Sequence, residues 1–394
     1  MKGAGSIDKL KSNFKLEAVS EDEGEVLFRV PDGTDVFKLC AEIDASGETT
    51  FAEPDFITIG THIPKRAPAG AAAPKPGDPL LPRQYAMTIT LAVDAWAIQT
   101  GNPDIAIAIL DEGVDTAHPD LKACITKTYD GVDADDYQEP NSWDGHGTAC
   151  AGLAAAVGRN NEGIRGSGAG CSLMAVRIAY SASRGGSWIT TNEWIKRSID
   201  WSWKNGAAVI SNSWGGGAPS NAIINAFERA RTQGRDGLGS VIVIAAGNES
   251  GPVTFPANLP NVIAVSASNE FDEFKTRTSR DGEDFWGSCH GPEITVAAPG
   301  VHNLTTDISG RGGYNATDYD PAFNGTSSST PIVAGACGLV LSARPDLREE
   351  MVRKIIADTA DKVGAAPYVG GRNDFFGFGR LNVLRAIEAA TAVA

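Results

Sequence analysis

Three widely separated residues have the side chains needed for nucleophilic chemistry. Asp111 ends the apolar stretch I-A-I-A-I-L-D, His146 lies in D-G-H-G-T-A-C-A-G, and Ser327 lies in N-G-T-S-S-S-T-P. A hydroxyl is a poor nucleophile until a neighbouring base removes its proton, and a carboxylate can hold that base in the required tautomer. We therefore predict Ser327 as nucleophile, His146 as base and Asp111 as the residue that orients the imidazole. Taken singly, each also has a structural interpretation: a helix cap, a core histidine or a strand-end turn residue.

The segment that follows Ser327 predicts a buried helix. Its residues are small or apolar throughout (I-V-A-G-A-C-G-L), and a helix that is apolar on all sides is buried in a core. Pro331 lacks an N–H, so we expect it in the first turn, where no acceptor is required. Ser327 would then lie at the partially positive end of the helix, which favours a developing anion.

Asn248 is a candidate for stabilising negative charge in the same site. It follows an apolar strand as A-A-G-N. A side-chain amide and a backbone N–H can together donate hydrogen bonds to the oxyanion that forms when a hydroxyl attacks a carbonyl carbon. We expect Asn248 and the Ser327 N–H to form this pair, although a turn asparagine after a buried strand would show the same pattern.

Short apolar segments alternate with helical segments through most of the chain. The predicted strands are 105–110, 173–178, 207–212, 241–246, 262–267 and 294–297, and the predicted helices are 146–157, 191–204, 219–233, 327–343 and 348–358. This alternation predicts an α/β fold with a mostly parallel sheet covered by helices on both faces. Active residues then lie beyond the carboxyl ends of the strands, where Asp111 and Asn248 fall.

A smaller unit precedes this part of the chain. The patterns predict strands at 14–19, 25–30 and 51–57 and a helix at 34–43 capped by Thr34. The following residues are rich in proline, alanine and glycine, which is typical of a linker. We predict a small α+β domain at 1–60, a linker at 61–78 and the α/β domain at 79–394.

The order Asp, His, Ser, together with the motif around Asn248, resembles the subtilisin-type serine peptidases. This triad order is that of subtilisin, and the similarity, closest to the thermitase-like branch, extends from about residue 79 to residue 390. The resemblance implies a three-layer α/β/α subtilisin-like fold and a serine endopeptidase that cleaves protein or peptide substrates through an acyl-enzyme. It also implies that residues 1–60 form a propeptide that chaperones and inhibits the enzyme and is cut from it. The alternative for these residues is a small accessory domain without a regulatory role.

The sequence leaves two other functions open. One is a dedicated processing protease or transpeptidase for a single partner peptide, and the other is an inactive peptide-binding pseudoprotease. The chain departs from the usual family pattern at four positions, none of which removes a triad member: Glu112, Ala149, Ser328 and Ser329. Retention of the triad and of Asn248 argues against the pseudoprotease.

The resemblance further implies how a substrate would bind. In the family, a peptide adds as a strand to main-chain edges of the enzyme. Ser213, Trp214 and Gly215 would form one edge, and Trp214 would wall the pockets for apolar side chains. The insert at 180–188 would supply the second edge. Thr254 would lie near the floor of the primary pocket.

Calcium is the cofactor that the resemblance implies. The first site would use the carboxylates of Asp78 and Asp120, the carbonyls of Val157, Glu162 and Ile164, and the side chain of Asn160. Such an oxygen-only set suits Ca²⁺. Asp130, Asp133 and Asp135 form a second acidic cluster, which we interpret either as a second calcium site or as a solvated loop.

Composition limits the partners. The net charge of −15 argues against nucleic acid and anionic membranes, and no apolar run is long enough to span a bilayer. The six cysteines are far apart in sequence, which indicates free buried thiols rather than a metal or redox site. Residues 1–15 lack the apolar core of a signal peptide, so we expect a cytoplasmic protein if Met1 is the native start, and a secreted one if a signal has been removed. We expect a monomer whose partners are its substrates and its own propeptide.

Overall fold

The predicted alternation of strands and helices forms a layered unit that is preceded by a smaller one. The computed structural model describes residues 4–63 and 77–392. Most of the predicted linker, residues 64–76, therefore lies outside the described residues. Within the described ranges, no helix is long and apolar enough to cross a membrane.

The smaller unit has its own hydrophobic core. Its elements are α1 (Ala4–Phe14), β1 (Glu17–Asp22), β2 (Glu25–Arg29), α2 (Val36–Ser46) and β3 (Ile57–Gly60). Leu10 and Leu16 pack with Leu39 and Ile43 at the centre of that core. Strands β1 and β2 pair as an antiparallel hairpin.

The larger unit begins with a short 3₁₀ turn at Leu81–Arg83. Its helices are α3 (Tyr85–Ile89), α4 (Ala92–Ala95), α5 (His146–Ala155), α6 (Asn192–Lys204), α7 (Asn221–Gly237), α8 (Thr326–Ala343), α9 (Glu349–Asp358) and α10 (Val383–Ala392). Its strands are β4 (Ala106–Asp111), β5 (Ile125–Asp130), β6 (Ser172–Arg177), β7 (Tyr180–Ser181), β8 (Trp188–Thr191), β9 (Ala207–Asn212), β10 (Val241–Ala245), β11 (Ile263–Ser268), β12 (Ile294–Pro299), β13 (Asn303–Thr306) and β14 (Tyr319–Phe323).

Seven of these strands form the central sheet, in the order β12-β11-β10-β9-β4-β6-β5. Every neighbouring pair in the sheet is parallel. From β4 the chain passes to the edge strand β5, comes back to β6 between β4 and β5, and then crosses to the other side of β4 with β9. The carboxyl ends of β4 and β9 therefore flank the point where the strand order reverses, which is where α/β sheets bind ligands.

Helices cover both faces of the sheet. In β4, Ile107 and Ile109 face a core shared with α5 and α8, whereas Ala108 and Leu110 face a second core shared with α6 and α7. Because β4 is buried on both faces, its sequence is continuously apolar rather than alternating. The predicted three-layer α/β/α fold is confirmed.

Three local features of the structure differ from the predictions. The strand predicted at 51–57 forms at Ile57–Gly60, because its partner is β8 of the larger unit, to which it is antiparallel. Helix α2 is capped by Asp35 rather than Thr34, since the Asp35 carboxylate accepts the Lys38 N–H at 3.1 Å. Strand β5 was not predicted, because it is a partly exposed edge strand with polar residues among the apolar ones.

Candidate active site

Asp111 and His146 lie side by side although they belong to different elements. Asp111 is the last residue of β4 and His146 the first residue of α5. The Asp111 Oδ1 atom lies 2.8 Å from His146 Nδ1 and also accepts the Glu112 N–H at 2.9 Å. Gly147 permits this approach, because a Cβ at that position would lie 2.2 Å from the Gly113 carbonyl oxygen.

The carboxylate sets the basicity of the imidazole. Burial by itself would lower the pKa of His146, but the nearby Asp111 charge outweighs burial and raises that pKa well above 6.5. Cys150, one helical turn after His146, lies with its Sγ 3.8 Å from His146 Nδ1. Burial raises the pKa of the Cys150 thiol, which favours a protonated core residue over a nucleophile.

Ser327 is the second residue of α8, and the whole first half of that helix is buried. Its hydroxyl donates a hydrogen bond to the Ser213 carbonyl at 3.0 Å. In the described structure, therefore, the hydroxyl points to Ser213 rather than to the His146 imidazole. Ser327 and His146 nevertheless line the same cleft.

Pro331 lies one turn deeper in α8 than predicted, as the sixth residue of the helix. A residue in this position would ordinarily donate its N–H to the Ser327 carbonyl, and proline cannot. The Ser213 hydroxyl donates to that carbonyl at 3.0 Å, and the Cys150 thiol lies 3.5 Å from it. The Ser213 hydroxyl and the Cys150 thiol thus take the place of the backbone N–H that Pro331 lacks.

Asn248 lies just beyond β10 and is held by the first residue of α8. Its Oδ1 accepts hydrogen bonds from the Thr326 N–H at 2.9 Å and from the Thr326 hydroxyl at 3.0 Å. Because both donors occupy the amide oxygen, the amide Nδ2 remains the group that can donate within the cleft, which Asn248 also lines. The Ser327 N–H belongs to the first turn of a helix, where no intrahelical acceptor exists.

The residues predicted to bind substrate line a cleft of about 440 Å³. Trp214 stacks on Phe227 with ring centroids 6.4 Å apart. Gly215 follows in the chain, and a Cβ there would lie only 3.2 Å from Thr254 Oγ1. Ser213, Trp214, Gly215 and Thr254 are therefore brought together with the candidate catalytic residues.

The chain's own residues 59–63 line this cleft. Strand β3 pairs with β8, so that Ile59 lies opposite Ile189 and Gly60 opposite Trp188. His62 follows, with its ring centroid 5.0 Å from that of His146. Ile63 comes next and packs near Gly325, the residue that caps α8.

The sequence alone does not predict that His62 and Glu112 are in contact. His62 Nε2 lies 3.1 Å from Glu112 Oε2. His62 belongs to the segment interpreted as a linker, and Glu112 is distinguished in the sequence only by its departure from the family pattern. No local pattern joins two residues 50 positions apart, so only the pairing of β3 with β8 reveals this contact.

The residues predicted for the first calcium site are adjacent. The Asp120 carbonyl accepts the Val157 N–H at 2.9 Å, and its carboxylate accepts the Ile164 N–H and the Asn160 amide, each at 2.8 Å. Asp78 accepts the N–H of the neighbouring Arg159. Both carboxylates are buried.

This oxygen-rich set fits a calcium ion with one adjustment. Burial raises the pKa of Asp78, and repulsion from Asp120 adds to the rise, so a cation between them would be favourable. The Asn160 amide presents its nitrogen to Asp120, while its oxygen accepts the Glu162 N–H at 3.0 Å. Ligation by the Asn160 oxygen requires that amide to turn over.

The second acidic cluster has a cation of its own. One Arg177 nitrogen lies 2.9 Å from Asp130 and 3.3 Å from Asp133. Asp135 accepts the Tyr137 N–H at 2.9 Å instead. Because a guanidinium already neutralises two of the three carboxylates, the first site is the better candidate for calcium.

Comparison with known proteins agrees with this geometry. Residues 102–379 match the model of the Subtilase family. Thermitase of Thermoactinomyces vulgaris is 34% identical over 315 residues, which cover 79% of this chain and 99% of thermitase. A calcium-dependent protease of Nostoc sp. is 35% identical over 332 residues, which cover 75% of this chain. The chain spans about half of that relative, 48% of its length.

Two solved structures show the same fold. Fervidolysin from Fervidobacterium pennivorans superposes on 98% of this chain with a TM-score of 0.74 at 23% identity, over 60% of its own chain. A protease from Pseudoalteromonas arctica superposes on 80% of this chain with a TM-score of 0.66 at 26% identity, over 99% of its own chain. The family model covers well over half of the sequence, and this chain belongs to the subtilase family.

Proposed function

We propose that this chain is a serine endopeptidase that is made as a self-processing precursor. The observation that carries the proposal is the convergence of Asp111, His146, Ser327 and Asn248 on one cleft that is also lined by the chain's own residues 59–63. In this proposal, residues 1–60 are the propeptide, 61–78 the linker and 79–394 the peptidase.

The residues have distinct roles in the reaction. Rotation about χ1 turns the Ser327 hydroxyl from the Ser213 carbonyl toward His146, since staggered rotamers of serine are close in energy. Ser327 Oγ then bonds to the substrate carbonyl carbon while His146 accepts its proton. His146 returns that proton to the departing amine as the carbon–nitrogen bond breaks, which leaves an ester on Ser327. A water molecule, deprotonated by His146, hydrolyses the ester and restores the hydroxyl.

Asp111 and Asn248 act on the charges that this reaction creates. Asp111 holds the His146 Nδ1–H and stabilises the imidazolium that forms when the proton is accepted. The Asn248 Nδ2 group and the Ser327 N–H donate to the oxyanion of the tetrahedral intermediate. Thr326 supports this role, because it fixes which end of the amide is free to donate.

The N-terminal unit is suited to hold the peptidase inactive. Glu53 accepts the N–H groups of Asn221 at 2.8 Å and Ala222 at 3.1 Å, at the start of α7. Asp55 accepts the Glu193 N–H at 3.0 Å, at the start of α6. Carboxylates at helix N-termini satisfy unpaired N–H groups and complement the helix dipoles.

Opposite charges extend the same interface. Asp22 lies 3.0 Å from the Lys196 ammonium and 3.1 Å from that of Lys204, and Glu25 lies 3.2 Å from Arg229. The interface places β3 against β8 and carries Thr61 to Ile63 across the catalytic residues. We expect self-cleavage within or next to this three-residue segment.

Calcium would stabilise the folded peptidase rather than take part in the reaction. Asp78, Asp120 and the 157–164 loop would hold the ion. A cation there would offset the repulsion between two buried carboxylates and fasten the loop to the start of the larger unit.

Intact mass spectrometry of the full chain tests the proposal. We expect the wild type to accumulate a fragment beginning near residue 62 and to degrade casein. Ser327→Ala should remain full-length and inactive. A Ser327→Ala protein that is still cut, or that still degrades casein after repurification, contradicts the assigned nucleophile.

A further inference from the structure

The Glu112 carboxylate is an unusual group to find beside a catalytic triad. Glu112 is 3% exposed and lines the cleft directly after Asp111. Its Oε1 accepts the Ser181 hydroxyl at 2.9 Å. Its Oε2 is buried and, among the described residues, has no hydrogen-bond donor beyond the 3.1 Å ion-pair contact with His62 Nε2.

The surroundings of Glu112 are negative. Asp144 is also buried, accepts the Ser181 N–H at 3.0 Å, and has its pKa raised to about 6 by burial and by the Glu112 charge. No lysine or arginine of the described residues forms an ion pair with Glu112 or Asp144. A buried carboxylate is costly unless a cation or a hydrogen-bond donor pairs with it.

The surroundings of His62 indicate which kind of side chain can bind at this position in the cleft. Its ring is flanked by the His146 ring at 5.0 Å and by the Tyr314 ring, edge-on, at 6.2 Å. Its side chain is 23% exposed, so the position opens to solvent. The backbone that carries His62 is the continuation of β3, which adds to β8 as an extended peptide would.

We propose that Glu112, Ser181 and Asp144 form a cation-accepting subsite, and that substrates are selected for a basic side chain at the position His62 occupies. An imidazolium, ammonium or guanidinium group would donate to Glu112 Oε2, whereas a carboxylate there would be repelled. Below, this set of three residues is called the acidic subsite. The inference deepens the proposed function and rests on it, because it names the substrate class of that same cleft.

The first test does not depend on catalysis. In full-length Ser327→Ala protein, hydrogen exchange of the amides of residues 57–63 reports how firmly the segment is held. We expect His62→Gln to increase exchange and His62→Glu to increase it further, while His62→Arg retains protection. In a Glu112→Gln background the differences among these variants should collapse. Equal effects of the His62 substitutions in both backgrounds overturn the acidic subsite.

The second test measures selection of substrates. Internally quenched peptides with the sequence of residues 56–64 are compared with His, Arg, Gln or Glu at position 62. Hydrogen bonds to charged groups predict a kcat/KM for Arg at least tenfold above that for Gln in the processed wild type. In the Glu112→Gln enzyme, the ratio of kcat/KM for the Arg peptide to kcat/KM for the Gln peptide should fall close to one. Because both peptides are cleaved by the same enzyme, any effect of the substitution on the neighbouring triad cancels in this ratio.

The outcomes separate the two proposals. Wild type that cleaves the Arg and Gln peptides equally well overturns the substrate preference. Wild type that cleaves none of the peptides and no casein, while the exchange differences still depend on Glu112, contradicts the peptidase but supports the acidic subsite.

Discussion

Replacing Ser213 by alanine tests how the helix that carries Ser327 accommodates a proline in its second turn. The Ser213 hydroxyl donates to the Ser327 carbonyl at 3.0 Å, and both groups are buried. Without that hydroxyl, the carbonyl retains only the Cys150 thiol at 3.5 Å, a weak donor. Leaving a buried acceptor poorly satisfied costs about 1–3 kcal/mol, and the thiol places the loss in the lower half of that range.

The loss can be measured by urea unfolding of full-length protein in the Ser327→Ala background, which prevents self-digestion. A decrease of about 1–2 kcal/mol in the free energy of unfolding is expected, or roughly 1–3 °C in the thermal midpoint for a domain of this size. The matched control is the same substitution combined with Pro331→Ala. Residue 331 then has an N–H that can reach the Ser327 carbonyl, so removal of the Ser213 hydroxyl should cost less than about 0.5 kcal/mol. An equal loss with and without Pro331 refutes the compensation.

Four further predictions concern catalysis and stability. Asn248→Ala should lower kcat by about 100- to 1,000-fold with little change in KM, the magnitude known for loss of an oxyanion donor in subtilisin, and an unchanged kcat would remove Asn248 from the site. Lys275→Met should destabilise the fold by about 3–5 kcal/mol in urea unfolding, because its fully buried ammonium lies 2.8 Å from the equally buried Asp281 carboxylate; an unchanged free energy of unfolding would contradict the pairing. EDTA should lower the thermal midpoint of the wild type, because an ion bound only by the native state stabilises it, and Asp120→Asn should start lower and respond less; an unaffected wild type argues against calcium. Finally, kcat/KM should rise with pH through the raised pKa of His146, since only the neutral imidazole accepts a proton; half-maximal activity at or below pH 6.5 would contradict the raised pKa.

The central sheet could be predicted because its strands are continuously apolar. β4 and β10 are buried on both faces, so their sequences alone distinguish them from solvated segments. The edge strand β5 escaped prediction because its sequence is not continuously apolar and two of its six residues are exposed. The positions of Asp111 and Asn248 could also be predicted, because both residues lie at the carboxyl ends of parallel strands and these ends meet at one edge of the sheet.

Contacts between distant segments could not be predicted from local patterns. Pro331 was expected one turn earlier, because the sequence gives no sign that Ser213 would satisfy the carbonyl that proline leaves open. Arg177 comes from β6, so its place between Asp130 and Asp133 could not be inferred from the acidic loop itself.

The pairing of β3 with β8 is the third such contact. Because of this pairing, the strand predicted at 51–57 forms instead at Ile57–Gly60, and His62 lies in the cleft beside His146. The candidate catalytic residues could be predicted from their types and positions, and the resemblance to a known family supported that prediction. The acidic subsite, in contrast, became visible only when the two segments were brought together.

Covalent labelling measures the central claim most directly. A serine-directed phosphonyl fluoride, followed by peptide mapping, should modify the processed wild-type enzyme at Ser327 alone and abolish its activity in proportion to the labelling. Neither His146→Ala nor Ser327→Ala should be labelled at an appreciable rate, since the first lacks the base and the second the nucleophile. Modification of a different serine in active enzyme, or full activity after stoichiometric labelling of Ser327, would contradict the account.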